Sequence, residues 1–319
     1  MRIEWITPAD LPQLADTPLY GTRPWLECIA EVSPLPLRIL ALVDEGKITA
    51  WHPFLESVRG PLRRALPLWV QTTSGPYYAM PAGLPFFEHS RWLRNMQSEM
   101  FAALASHVHF ATLFPYESDP RNLAQGWSTS VRATARLDLQ MVPFAFSKQA
   151  QGKLHRAENK DLSFVKNSSP QNIVQAIESV HAKHHIRNFL SAENVNQLRL
   201  LFEKRNLVET WCVLDAGGQE VAYGAIALDK TCDSVRLWHN LHSEAAYKLY
   251  AADFMIGKIA EAYRGTFRWF DLCGTDLPNL IEFKEKWATE TQYSFAHEFV
   301  RNQPLNLALK AFATIRKLK

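Results

Sequence analysis

Glycine is scarce in this sequence, with 13 in 319 residues, about 4% against the roughly 7% of an ordinary protein. Neither GxGxxG nor GxxxxGKS/T occurs, so a glycine-rich dinucleotide or P-loop enzyme is excluded. Cysteine is equally sparse. Cys28, Cys212, Cys232 and Cys273 stand far apart without a CxxC spacing; they read as reduced thiols of a cytoplasmic protein, not as a disulfide framework or zinc site. No apolar run approaches the ~18 residues of a membrane span. The stretch Met1 to Asp16 mixes Arg2, Glu4, Asp10 and Asp16 with apolar residues and does not read as a secretion signal. Charge of one sign is missing too: 35 Lys and Arg against 32 Asp and Glu leave +3, which gives no whole-protein case for DNA or a membrane surface as partner.

What is present is material for a large core, with 47% hydrophobic residues, 18 Phe and 10 Trp. The length points to two domains, and an internal repeat supports this. Leu40-Ala-Leu-Val-Asp-Glu-Gly-Lys47 and the following Ile48 to Leu55 read as strand, Asp/Gly turn and strand. Trp211-Cys-Val-Leu-Asp-Ala-Gly-Gly218 and Glu220 to Leu228 repeat this order, with Asp215 matching Asp44. Downstream, His109 to Phe114, then Asp119-Pro-Arg-Asn-Leu123 and the alternating strand Val131 to Leu139 match Phe267 to Leu272, Asp276-Leu-Pro-Asn-Leu280 and the strand Gln292 to Val300.

The interval from Asp44 to Asp119 exceeds that from Asp215 to Asp276 by about fourteen residues, and the Gly/Pro/Arg-rich Arg59 to Arg64 is a natural place for the extra length. Between these anchors each half has one long helical pattern, Ser90 to His107 and Ala245 to Tyr263. The expected organisation is an N-terminal unit over 1–145 and a C-terminal unit over 146–319, the latter with a basic linker helix and a C-terminal helix. Each is an α/β unit, a mixed sheet flanked by helices.

The tract Phe270-Asp-Leu-Cys-Gly274, Phe283-Lys-Glu-Lys-Trp287 and Tyr293 resembles the strand, loop, Phe-Lys helix and closing Tyr strand of Fem-type aminoacyltransferases and CelD-like acetyltransferases, relatives of the GNAT superfamily. The resemblance implies a tandem duplicated GNAT-like (acyl-CoA N-acyltransferase) fold. It also implies an EC 2.3 type activity in which an amine attacks an acetyl or aminoacyl group directly, with the acceptor bound between the two units. Such chemistry needs oxyanion donors and a proton for the leaving group, but no covalent enzyme intermediate. Tandem acyltransferases of this kind have small-molecule or peptidoglycan (cell-envelope) precursor amines as acceptors, with acyl-CoA as a co-substrate or tRNA as a partner. No permanently bound cofactor is expected.

Candidate site residues follow from the resemblance and from residue chemistry. The match places Phe283 and Lys284 beside the acyl-transfer centre, where an ammonium stabilises a developing oxyanion; a solvent-facing lysine is the alternative. Asp271 either caps the turn before Gly274 or orients an amine. His239, closing the strand Val235 to His239, is a candidate base, or a packed strand histidine. Tyr223 and Tyr250 are candidate acids or core aromatics. Tyr77 and Tyr78, presented by Gly75-Pro76, are candidates for acceptor binding. Arg187 is a candidate grip on an acceptor carboxylate or phosphate, or a surface salt-bridging residue.

His181, His184 and His185 lack the HExxH glutamate and sit beside Lys183, so no metal is expected. The loop Asn240 to Lys248 has no glycine and carries Glu244, unlike a pyrophosphate-binding loop. Lys148, Lys153, Arg156 and Lys160 form a basic cluster, either a solvated face or a phosphate contact. Two other readings stay open: a non-catalytic binding protein on a degenerate GNAT scaffold, and a Fem-type aminoacyl-tRNA-dependent peptidyltransferase.

Overall fold

The structure is a computed structural model that describes residues 1–301 apart from 15, 69–72, 116, 121–124, 168, 184–189 and 275–277. In chain order its elements begin with β1 (Arg2–Ile6), α1 (Arg23–Val32), β2 (Leu37–Asp44), β3 (Lys47–Arg59), β4 (Leu62–Leu66), β5 (Tyr77–Tyr78), α2 (Phe86–His107), β6 (Phe110–Leu113) and β7 (Trp127–Asp138). The remainder are α3 (Lys148–Glu158), β8 (Ser163–Lys166), α4 (Ile173–Lys183), α5 (Ala192–Lys204), β9 (Val208–Leu214), β10 (Glu220–Asp229), β11 (Ser234–His242), α6 (Glu244–Leu249), α7 (Ala251–Tyr263), β12 (Trp269–Gly274), α8 (Pro278–Glu285) and β13 (Glu290–Val300).

Two compact units result. Unit 1 holds Met1–Leu26, Leu35–Arg132 and 294–301, and unit 2 holds Glu27–Pro34 and Ala133–Tyr293. Unit 1 has the strand order β1-β2-β3-β4-β6-β13, and unit 2 has β8-β9-β10-β11-β12-β7. Each is a mixed sheet in which, among the described residues, one neighbour pair is parallel, β4 with β6 in one and β11 with β12 in the other. The expected repeat is therefore present in the topology.

The closing strands are exchanged. Alternation correctly marks Val131 to Leu139 and Gln292 to Val300 as strands, but each pairs with the other half's sheet. Thr134 to Asp138 of β7 lie against β12, and His297 to Val300 of β13 lie against β6.

Local chemistry explains the hairpins. Asp44 pairs with Lys47, and the two intervening residues are both left-handed, Glu45 at φ 49° and Gly46 at φ 78°, which is the turn whose twist matches its strands. In the second copy Asp215 Oδ1 accepts the amides of Gly217 and Gln219, each at 2.9 Å, fixing the turn from its own side chain.

Two sequence expectations are corrected. Arg59 to Arg64 holds only the end of β3, a tight turn and the start of β4; the extra length lies between β4 and β5. That excursion interrupts one lane of the sheet, because β4 pairs with β3 at Leu55 to Arg59 while β5 continues the lane at Ala50 and Trp51. The second long helix is also broken. Tyr250 is left-handed at φ 55°, so it ends α6 and begins α7. Hydrophobic spacing does not register a one-residue break.

The unit 1 core lies between its sheet and α2, with Leu40, Leu42, Phe54, Met100 and Phe101 packed together and Phe101 stacked on Trp127 at 4.3 Å. In unit 2, α7 covers β10 and β11 with Phe254, Met255, Ile256 and Ile259. Each such fully buried side chain contributes roughly 2 kcal/mol. Ser147 caps α3, its Oγ accepting from Ala150 N at 3.2 Å. This helix lies so close to α7 that a Cβ on Gly257 would stand 2.8 Å from Leu154.

Candidate active site in unit 2

The parallel pair β11 and β12 is in register for three residue pairs, Ser234 with Trp269, Val235 with Phe270 and Arg236 with Asp271. Beyond them β11 runs on to His242 against β10, and among the described residues it makes no further pair with β12. The pairing of the two strands ends there. A buried ion pair marks the parting point. Arg236 Nη1 donates to Asp271 Oδ2 at 3.2 Å, and its Nη2 lies 3.2 Å from Asp229 Oδ2. All three side chains are buried, so each charge depends on the others for compensation.

Beyond this point β12 ends in an unusual turn. Cys273 has φ 58°, held from both sides: its amide donates to Asp271 Oδ1 at 2.7 Å, and its carbonyl accepts from Lys284 Nζ at 2.8 Å. Lys284 also donates to the Gly274 carbonyl. Thr134 of β7 donates to the same Asp271 Oδ1 at 2.5 Å. Asp271 thus performs the turn capping, and Lys284 places a half-buried positive charge at the strand end. The lysine reaches there because α8 is anchored beneath it: Phe283 packs on the unit 2 core and Trp287, just past the helix, is fully buried.

His239 lies on the free part of β11. A one-residue bulge there, with Ala225 opposite His239 and Ile226 opposite Leu237, brings Trp238 and His239 together with ring centroids 4.2 Å apart. Burial pushes the imidazole down to about 4, helped by the charges of His181 and Arg199. The ring is therefore neutral at pH 7, able to accept a hydrogen bond but weak as a base.

The other predicted residues are dispersed. Tyr223 is buried on β10 and donates to Glu220 Oε2 at 3.2 Å, with burial raising its phenol further. Tyr250 accepts from Arg156 Nη1 at 3.4 Å. Tyr77 is buried in unit 1, its ring 5.8 Å from that of Trp51, and Tyr78 packs edge-on to Trp92 at 6.3 Å. Arg187 lies outside the described residues. Lys284, Asp271 and Phe283 are thus brought to the end of β12, with His239 on the strand that parts from it. Sequence reasoning missed Arg236, for which the only signal was a charged residue inside an apolar strand.

The helix starts after β11 do not suit a pyrophosphate. α6 opens on Glu244 and has six residues. The first turn of α7 carries Asp253, buried and 3.7 Å from Lys153, with burial raising its carboxyl. The carboxylate in the first turn of α7 opposes a bound anion.

At the level of sequence, no family model and no curated protein matches. Solved structures do. FemX superposes with a TM-score of 0.64 at 10% identity, covering 97% of this chain and 99% of its own. A tandem GNAT protein from the clavulanic acid biosynthesis pathway gives 0.52 at 11%, covering 93% and 98%. The chain has the tandem GNAT-like fold of FemX. The C-terminal domain of a putative lysylphosphatidylglycerol synthetase from Agrobacterium fabrum has it too, with a TM-score of 0.54 at 14% identity and 90% of both chains covered. In this fold β12 carries Asp271, and α8, which follows it, carries Phe283 and Lys284. Among the described residues no helix is long and apolar enough to cross a membrane.

Proposed function

We propose that the chain is an N-acyltransferase that moves an activated acyl group onto a primary amine at the parted strands of unit 2. The observation that carries this is the end of β11–β12 pairing after Arg236 and Asp271, with a lysine charge fixed at the adjacent strand end. An acyl carbonyl placed there would meet the backbone of β11 on one side and the field of Lys284 on the other. Both favour the oxyanion that forms as the amine attacks. The neutral His239 would orient the amine through a hydrogen bond, and the proton would leave with the donor's departing group.

An aminoacyl-tRNA suits the donor side better than acyl-CoA. The Asp253 carboxylate at the α7 start disfavours a pyrophosphate, whereas Lys148, Arg156 and Lys160 of the α3 region are exposed and available to a phosphate backbone. The acceptor class is a small-molecule or peptidoglycan-precursor amine. Incubating the protein with aminoacyl-tRNA and a panel of such amines should give amide product, and binding should weaken steeply with salt. Transfer from acetyl-CoA alone would reverse the donor assignment. If neither donor raised the Tm nor lost its acyl group, the transferase reading would fail in favour of a binding protein on this scaffold.

A further inference from the structure

We propose that Ser118 of unit 1 is a nucleophile, set up by His297 and Thr129 to take an acyl group from an activated ester. The three residues are far apart in sequence and meet because β13 lies between β6 and β7. Ser118 Oγ is 2.5 Å from His297 Nε2, and Thr129 Oγ1 is 2.9 Å from His297 Nδ1. Nucleophile, base and orienting group are thus in hydrogen-bond contact in the order that activates a hydroxyl. With the serine donating to Nε2, the Nδ1 proton points to Thr129, which fixes tautomer and ring plane together.

Burial divides the roles in the same way. The imidazole has no exposed surface, packed against Phe101 at 5.2 Å, whereas Ser118 is partly open to solvent and Thr129 is exposed. Asp119, next to the serine, is tied to α2: Asp119 N donates to Gln97 Oε1 and Gln97 Nε2 donates back to Asp119 O, both at 2.8 Å, while Arg94 lies 3.4 Å from the Asp119 carboxylate.

In the step, the Ser118 oxygen forms a bond to the ester carbonyl carbon and its proton passes to His297 Nε2. The bond from that carbon to the alcohol oxygen breaks, and the alcohol leaves with the proton, giving an acyl-serine. This site is separate from the parted strands of unit 2 and does not depend on their function.

A fluorophosphonate tests the serine directly, because phosphonylation follows the same proton path with fluoride as leaving group. Peptide mapping of the labelled full-length chain should place the mass increment on Ser118 and lose it in Ser118→Ala. His297→Gln should slow labelling about a hundredfold, and Thr129→Val should slow it less. Circular dichroism will show whether His297→Gln folds; if it does not, Thr129→Val, on an exposed position, carries the test of the base. Burial pushes His297 down to about 4 with no charged side chain contributing, so the labelling rate should stay level from pH 8 to about 5.5 and fall only below that. An unlabelled native protein, a label elsewhere, or a rate indifferent to both His297→Gln and Thr129→Val would overturn the proposal.

Discussion

Units 1 and 2 have the same strand order and the same short parallel pair, but they treat the opening beyond that pair differently. In unit 1 the chain leaves β4 for the excursion at 67–76 and returns along the same lane as β5. Gly75 then bridges Phe114 just past β6, Ser74 N donates to Phe114 O at 2.9 Å, and Phe114 N donates to Ser74 Oγ at 3.2 Å. Backbone stitches the opening shut. In unit 2 the interruption of the matching lane is the single bulged residue Trp238, and side chains, Lys284 above all, hold the end of β12. A duplicated scaffold can thus close one opening with its own chain and leave the other to a substrate.

The sharpest way to break this contrast is to exchange its consequences. Lys284→Ala should lower kcat about a hundredfold with little change in KM, whereas Tyr78→Phe, in the stitched copy, should leave the rate of amide formation nearly unchanged. The reverse result in steady-state kinetics would place the chemistry in unit 1.

Stability differs next. Asp271→Asn keeps an acceptor for Cys273 but removes the negative charge facing Arg236, and should cost about 3 kcal/mol in urea unfolding. A loss below 1 kcal/mol would mean that Asp229 alone satisfies the guanidinium.

Acid sensitivity is heavier in unit 1, although His239 of unit 2 is depressed as well. Burial pushes His52 down to about 3 and His297 to about 4, both fully buried in unit 1. A histidine whose folded pKa is depressed gives its full contribution above its unfolded value near 6.5 and loses it as pH falls toward the folded value. At pH 5 each should have cost about 2 kcal/mol. Calorimetry from pH 7 to 4.5 should show a declining Tm, and a shallower decline in His52→Leu. A flat Tm down to pH 4.5 would rule this out.

The smallest contrast concerns two glycines. A Cβ on Gly21 would lie 2.7 Å from the rigid ring of Tyr77 in unit 1, and one on Gly224 would lie 2.9 Å from the Met255 sulfur in unit 2. Gly21→Ala should cost about 2 kcal/mol and Gly224→Ala about 1 or less. Equal losses in chemical denaturation would show that Met255 is as confined as Tyr77.

Much of this was legible from residues alone, for physical reasons. Asp44-Glu-Gly46 marks a hairpin because its turn needs a left-handed backbone, and Asp215-Ala-Gly-Gly218 marks the matching hairpin because its aspartate bonds the turn amides. The Phe283-Lys284 resemblance pointed to the end of β12, where Lys284 bonds the Cys273 carbonyl. Alternation in Val131 to Leu139 and Gln292 to Val300 shows two strands but contains nothing about which partner each selects, so their exchange was invisible. The Ser118 and His297 contact is hidden for the same reason, since it exists only where the exchange puts β13. Arg236 read as an ordinary polar interruption because its two carboxylates come from different strands.

The exchanged strands also bear on how such a chain could have arisen and whether it can be undone. Each sequence half encodes a sheet that lacks its final strand and carries a strand that fits the other copy. A gene cut at the repeat boundary would therefore yield two fragments, each with an unpaired edge matching the strand carried by the other. Loss of either copy by deletion would leave the survivor incomplete, so the duplication is locked in by hydrogen bonding as well as by any shared task.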